Sequence, residues 1–230
     1  MKKLFLFLSL SVALCTFSQS GKIFTEINYN TFSHSNLSDF QQELVSELES
    51  DIGVRLTTKD FSGNVGFSLG YEIVDQDMAL FFSYNKADIE SFYSDVSGRV
   101  GIQQVLNGYT LGGMYLIDIN NVDLKLGLRG FFMYTTLDVE TYFEATGFTS
   151  FNDSLGFSAA EIGVGPSLIY EYPISSLFIL RASAGFDLVL STQINFDDYD
   201  DAYLEDASGN KVKTGWSGLR TGIGIAIPIK

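Results

Sequence analysis

Four basic residues, Lys125, Arg129, Arg181 and Arg220, and five acidic ones, Glu26, Glu72, Glu161, Glu171 and Asp187, recur at positions that alternate with apolar neighbours. Period-two placement puts each of them on one side of an extended segment, so the chemistry open to them is ion pairing across a shared face. An unpaired buried ion costs several kcal/mol, so each cation on such a face calls for a carboxylate. Arg220 and Asp187, on segments expected to be adjacent and at similar heights, are the favoured pair. A second cluster, Asp197, Asp198, Asp200 and Asp201 followed by Asp206, supplies hard oxygen ligands suited to calcium. It lacks EF-hand spacing and the glycine turn of such a loop, which favours a solvated acidic loop over a metal site. The sole histidine, His34, stands between Ser33 and Ser35 with Asp39 nearby, the residue types of a nucleophile, base and acid. Adjacent residues of an extended chain point apart, so catalysis is not the expectation.

The elements that must position these groups are strands. From Phe157 to Leu190 two long ones meet at the turn Pro173-Ile174-Ser175-Ser176. Ala160, Ile162, Val164, Pro166, Leu168, Tyr170 and Tyr172 alternate with Glu161, Gly163, Gly165, Ser167 and Glu171. Phe178, Leu180, Ala182, Ala184, Phe186, Leu188 and Leu190 then alternate with Arg181, Ser183, Gly185 and Asp187. The same pattern runs from Ile23 to near Ser33 and from Phe61 to Val74. It returns from Met78 through Tyr84, around Tyr109 to Ile117, from Val122 to about Tyr142, and from Gly215 to Lys230. The total is eight. Asp75-Gln76-Asp77, Asn120-Asn121 and the Pro173 turn make short connections, whereas those after the first, third, fifth and seventh strands read as long and polar, including Lys86 to Arg99 and Gly147 to Ser154. In the first long connection the period changes: Ser38 and Gln41 have capping-box spacing, and Phe40, Leu44 and Leu48 predict a helix from Asp39 to about Ser50. Its acidic residues, Asp39, Glu43, Glu47 and Glu49, disfavour an anionic membrane surface, and its apolar stripe is expected to pack on a barrel rim.

Lys2 and Lys3 precede an apolar run from Leu4 to Leu14 and a small, polar group ending at Ser20. A run this short predicts a cleaved secretory signal, with cleavage after Ser18 or Ser20, and not a spanning helix, which needs about 20 residues. Cys15 follows Leu14, which argues against lipidation; after cleavage no cysteine is left for disulfides. Residues 21–230 then carry 12 basic against 28 acidic residues, a net charge of −16, which excludes nucleic acid as an expected partner.

Strands greased on one face and polar on the other suit an all-β, eight-stranded antiparallel up-and-down transmembrane barrel, with a short helix in the first external loop. Tyr29, Tyr84, Tyr109, Tyr134 and Trp216 toward the loops, and Tyr71, Tyr170 and Tyr172 toward the turns, are expected to form interfacial girdles. Long loops on one side and short turns on the other predict both termini on the periplasmic side. Eight strands leave a lumen that side chains can fill, so the predicted state is a polar lumen plugged by ion pairs; a narrow or gated pore is the alternative. Pro166 lies mid-strand and predicts a bulge. A soluble carrier of lipocalin type would reverse the faces and present a surface rich in glycine and poor in lysine.

With signal, alternating glycine-rich strands and acidic loops in place, the chain resembles the eight-stranded outer-membrane barrel family that includes the OmpA transmembrane domain and OmpX. It is also similar to the outer-membrane β-barrel domain proteins common in Bacteroidetes. The resemblance is one of architecture and carries no sequence motif. It implies a monomer among outer-membrane lipid and lipopolysaccharide, inserted by the barrel-assembly machinery, without enzymatic activity or cofactor and with a role in envelope integrity, adhesion or surface contact. A barrel enzyme modifying lipid A is the rival it also suggests. Many family members end in an aromatic residue, whereas this sequence ends in Ile229-Lys230.

Overall fold

The structure, a computed structural model, describes residues 20–61, 63–119, 123–145, 150–197 and 202–229. The predicted leader up to Gln19, the Asn120-Asn121 turn, Gly147, Asp198, Asp200, Asp201 and Lys230 lie outside them.

Eight long strands close into one antiparallel barrel. They are β1 (Gly21–Phe32), β2 (Asn64–Ile73), β3 (Met78–Asp95), β4 (Gly98–Ile119), β5 (Leu124–Ala145), β6 (Phe151–Pro173), β7 (Ile179–Leu190) and β8 (Gly218–Ile229). Each pairs with its sequence neighbour, and β1 pairs with β8 in a register running from Gly21 opposite Ile229 to Phe32 opposite Gly218. Closure removes the free edges that an open sheet would expose. At one end of the barrel β2 passes to β3, β4 to β5 and β6 to β7; at the other β1 passes to β2, β3 to β4, β5 to β6 and β7 to β8.

Ile27, Val65, Leu80, Leu111, Leu128, Ile162, Leu188 and Ile223, one from each strand, are more than half exposed on the outer face, while Arg129 and Arg181 face the axis at 5% and 1% exposure. A soluble barrel would show the opposite. On β5 the outward apolar band runs from Leu124 to Tyr134, ten steps of about 3.4 Å. At a tilt near 40° that is roughly 26 Å along the axis, the height of a lipid-facing band.

Beyond this band the strands do not stop. β3 and β4 continue in register through the expected loop Lys86–Arg99, with Asp95 opposite Gly98 and only Val96-Ser97 between them. The inward parity is kept while the polarity reverses. Lys86, Asp88, Thr136, Asp138 and Glu140 now point away from the axis, and Ala87, Ile89, Ile102, Leu106, Leu137 and Val139 point into it. A stretch that is polar outside and oily inside is a water-exposed barrel wall, and its charged outer residues made it read as a loop. The connection after β5 is likewise short, 146–150, because β5 reaches Ala145 and β6 begins at Phe151.

The helix α1 (Ser35–Ile52) begins a turn earlier than the capping-box spacing suggests. His34 occupies the N-cap without a side-chain bond, Ser38 N–H donates to His34 O, and Gly53 ends the helix at φ 70°. The early start brings Leu37 into the fully buried set beside Phe40, with Leu44 and Leu48 partly buried on the same core.

At Pro166 the expected bulge is absent. β6 pairs with β7 at Val164–Leu188 and again at Ser167–Gly185, the same register on both sides, and the ladder skips the two pairs between. Proline's missing donor is absorbed as a local gap with no extra residue inserted.

Candidate functional site in the lumen

The inward face is built in two layers. Nearest the turn end, β1, β2, β5, β6 and β7 each contribute charge. Arg181 Nε donates to Glu26 Oε1 at 2.8 Å and its Nη1 to Glu171 Oε1 at 2.5 Å, with Glu72 Oε2 at 3.5 Å. Its guanidinium lies 4.2 Å from the centroid of Phe24, a stacked arrangement that suits arginine's planar cation. Lys125 Nζ stands 2.5 Å from Glu72 Oε1 and 3.6 Å from Glu171 Oε2. Lys22, whose partnership alternation alone did not flag, joins the same two carboxylates at 3.4 and 2.6 Å. Its position on β1, two residues from Phe24 and four from Glu26, shares their inward parity.

One level toward the loops, Asp187 Oδ2 receives Arg220 Nε at 3.3 Å and Arg129 Nη1 at 3.5 Å. Arg129 lies over Phe81, 4.2 Å from its centroid. Glu161 departs from the expected network: among the described residues it has no cation. Thr135 Oγ1 donates to its Oε2 at 3.1 Å and Thr214 Oγ1 to its Oε1 at 2.5 Å. Hydroxyl donors take the place of a guanidinium there because the surrounding wall is already turning apolar.

Above Glu161 the second layer closes the bore. Trp216, expected in the outer girdle, is fully buried inside. It sits two residues before Gly218 and shares the inward parity of Gly218 and Arg220, which the girdle assignment overlooked. Trp216 Nε1 donates to Thr135 Oγ1 at 3.0 Å, and its ring packs edge-on against Phe32 and His34. It fits because Gly108 leaves the opposite wall open; a Cβ there would come within 2.9 Å of the indole. Leu106, Leu137, Phe157, Ile194, Leu204 and Val212 complete this core. The helix seals it. Gln41 Nε2 donates to Ser91 Oγ and Ile102 O at 2.9 and 3.1 Å, and Gln104 Nε2 donates to Gln41 Oε1 at 2.7 Å.

Three other candidates fall into place. His34 Nδ1 donates to Thr214 O at 2.6 Å, fixing the neutral tautomer, and the ring lies between Phe61 and Trp216. Burial pushes its pKa down to about 4. Its hydrogen bond goes to a carbonyl, not to Ser33, Ser35 or Asp39. Of the acidic loop, Asp197 N–H donates to Gly156 O, and Asp206 caps its own turn by accepting from Ser208, Asn210 N–H and Asn210 Nδ2. Those bonds hold the Asp206 carboxyl below its usual range. Among the described residues no three His, Cys, Asp or Glu side chains gather as a metal site. On the outer face, Tyr84, Tyr109 and Tyr134 form a registered row on β3, β4 and β5 at the loop-side edge of the apolar band. Tyr71 faces outward but is buried, laid across Gly21.

No family model matches the chain, and no curated protein matches its sequence. Solved structures resemble it. Neisserial surface protein A is 11% identical, covering 90% of this chain and 96% of that one, at a TM-score of 0.41. A major outer membrane protein from Thermus thermophilus is 10% identical over 91% and 99%, at 0.44. The outer membrane protein OprG from Pseudomonas aeruginosa is 9% identical over 92% and 96%, at 0.42.

Proposed function

We propose that the protein is a monomeric, non-enzymatic barrel of the outer membrane, set in lipid and lipopolysaccharide with its turns and termini toward the periplasm. Its lumen is closed, and it serves envelope structure or contact at the cell surface. The finer kinship with OmpA- and OmpX-like barrels, or with the Bacteroidetes barrel proteins, belongs to the same reading. The observation that carries it is the double closure: a lattice of ion pairs at one level and, above it, a dry core in which Leu37, Leu106, Leu137 and Trp216 are each 0% exposed. A bore filled by its own side chains has no continuous water path, and the apolar outer band accounts for the membrane.

Four measurements test this. The protein should fractionate with the outer membrane and migrate faster in gels before boiling than after. Purified into planar bilayers it should be electrically silent; steady unitary conductance in the unaltered protein would refute the closed lumen and favour a pore. An unchanged lipid A mass on overexpression separates this reading from a lipid-modifying enzyme.

A further inference from the structure

The ionic layer is unevenly balanced. At the turn end Lys22, Lys125 and Arg181 meet three carboxylates, Glu26, Glu72 and Glu171. One level up, Arg129 and Arg220 share the single carboxylate Asp187, each through a long contact of 3.3–3.5 Å. Glu161, the next acid along β6, is bonded to Thr135 and Thr214. Arg129 is 95% buried, and among the described residues neither its Nε nor the Oδ1 of Asp187 has a hydrogen-bond partner. A buried N–H of a cation left unbonded is costly, more so than for a neutral group.

Beside these groups is a cavity of about 20 Å³, the room of one water-sized occupant. Arg129, Arg181, Arg220, Ser68, Ser167 and Ser183 line it. Glu26 also reaches the wall, but its oxygens accept from Arg181 and Ser183. We propose that this cavity is a binding site for a small monatomic anion of the halide class, held by Arg129 and Arg220. A neutral water fits the same space but leaves the second guanidinium uncompensated, whereas a halide supplies the missing negative charge to a set of N–H donors. Larger anions such as gluconate or sulfate are excluded by volume.

The test uses the full barrel. Crystals grown in sodium bromide should give an anomalous peak in the lumen against Arg129 and Arg220. At constant ionic strength, the unfolding midpoint should rise saturably as chloride replaces gluconate, and Arg129→Met should abolish both peak and chloride dependence. If Arg129→Met fails to fold, the bromide map and the chloride titration of the unaltered protein decide alone. A lumen with no bromide peak, a peak that survives Arg129→Met, or a midpoint indifferent to the anion overturns the site.

Discussion

Replacing Arg181 by methionine is the sharpest probe of the lumen. The guanidinium is 1% exposed and lies within 3.5 Å of three carboxylates, Glu26, Glu72 and Glu171. Methionine keeps most of the stem but loses the guanidinium over Phe24 and leaves Glu26, whose other bond is from Ser183, without a cation. Removing one partner of a buried pair costs about 3–5 kcal/mol. With a urea dependence of about 2 kcal/mol per molar, the unfolding midpoint in lipid vesicles should fall by about 2 M. Gel mobility and the emission of the lone tryptophan both report it. Adding Glu26→Gln should recover part of the loss, because the stranded charge is then gone; a coupling energy above about 1 kcal/mol is expected from the double-mutant cycle. Lys59→Met is the control, since Lys59 pairs with Glu90 at 3.0 Å from a 63% exposed side chain and should change stability by less than about 1 kcal/mol. A midpoint shift for Arg181→Met no larger than that of Lys59→Met would refute the claim that the charged layer holds the barrel together.

Three further outcomes follow from the same geometry. Leu37→Ala, at a fully buried helix position over the apolar layer, should destabilise by about 2–5 kcal/mol and shift Trp216 emission to the red as water enters; an unchanged spectrum contradicts the seal. His34 is neutral in the folded state with its pKa lowered from 6.5 to about 4, so the unfolded chain binds the extra proton between those values and stability falls as pH drops through that window. The loss should be about 2 kcal/mol from pH 7 to pH 5, measured as the difference between the unaltered protein and His34→Gln; parallel pH profiles would rule it out. Glu161→Gln should cost about 1 kcal/mol, since the amide oxygen still accepts from one threonine and the other hydroxyl can turn to accept from the amide NH2, whereas Glu171→Gln weakens bonds to Lys22 and Arg181 and should cost several times more. Equal losses at the two positions would show that Glu161 does have a cation.

Alternation reaches as far as parity and stops there. From Ile23 to Asn30 or Val164 to Leu190, side-chain period is enough to say which groups share a face, and the apolar residues set which face meets lipid. Parity cannot say where along the axis the surroundings change from lipid to water. Thus Lys86, Asp88 and Glu90 read as a loop although their backbone continues the β3 ladder, and Trp216 read as an interfacial anchor although its even number places it with Arg220. Nor can it say which cation meets which carboxylate: strand stagger and side-chain reach put Lys22 between Glu72 and Glu171 and leave Glu161 to two threonine hydroxyls.

The amino-acid order by itself determined the strand count, the antiparallel path, the greased exterior and the set of groups that turn inward, because each depends only on period two and on turn chemistry. Only the tertiary structure decided that the bore has two unlike storeys, that α1 and Trp216 close the upper one, and that two arginines share one aspartate. Those facts arise where residues distant in sequence compete for the same small volume, and the outcome depends on register and shape, which no local pattern carries.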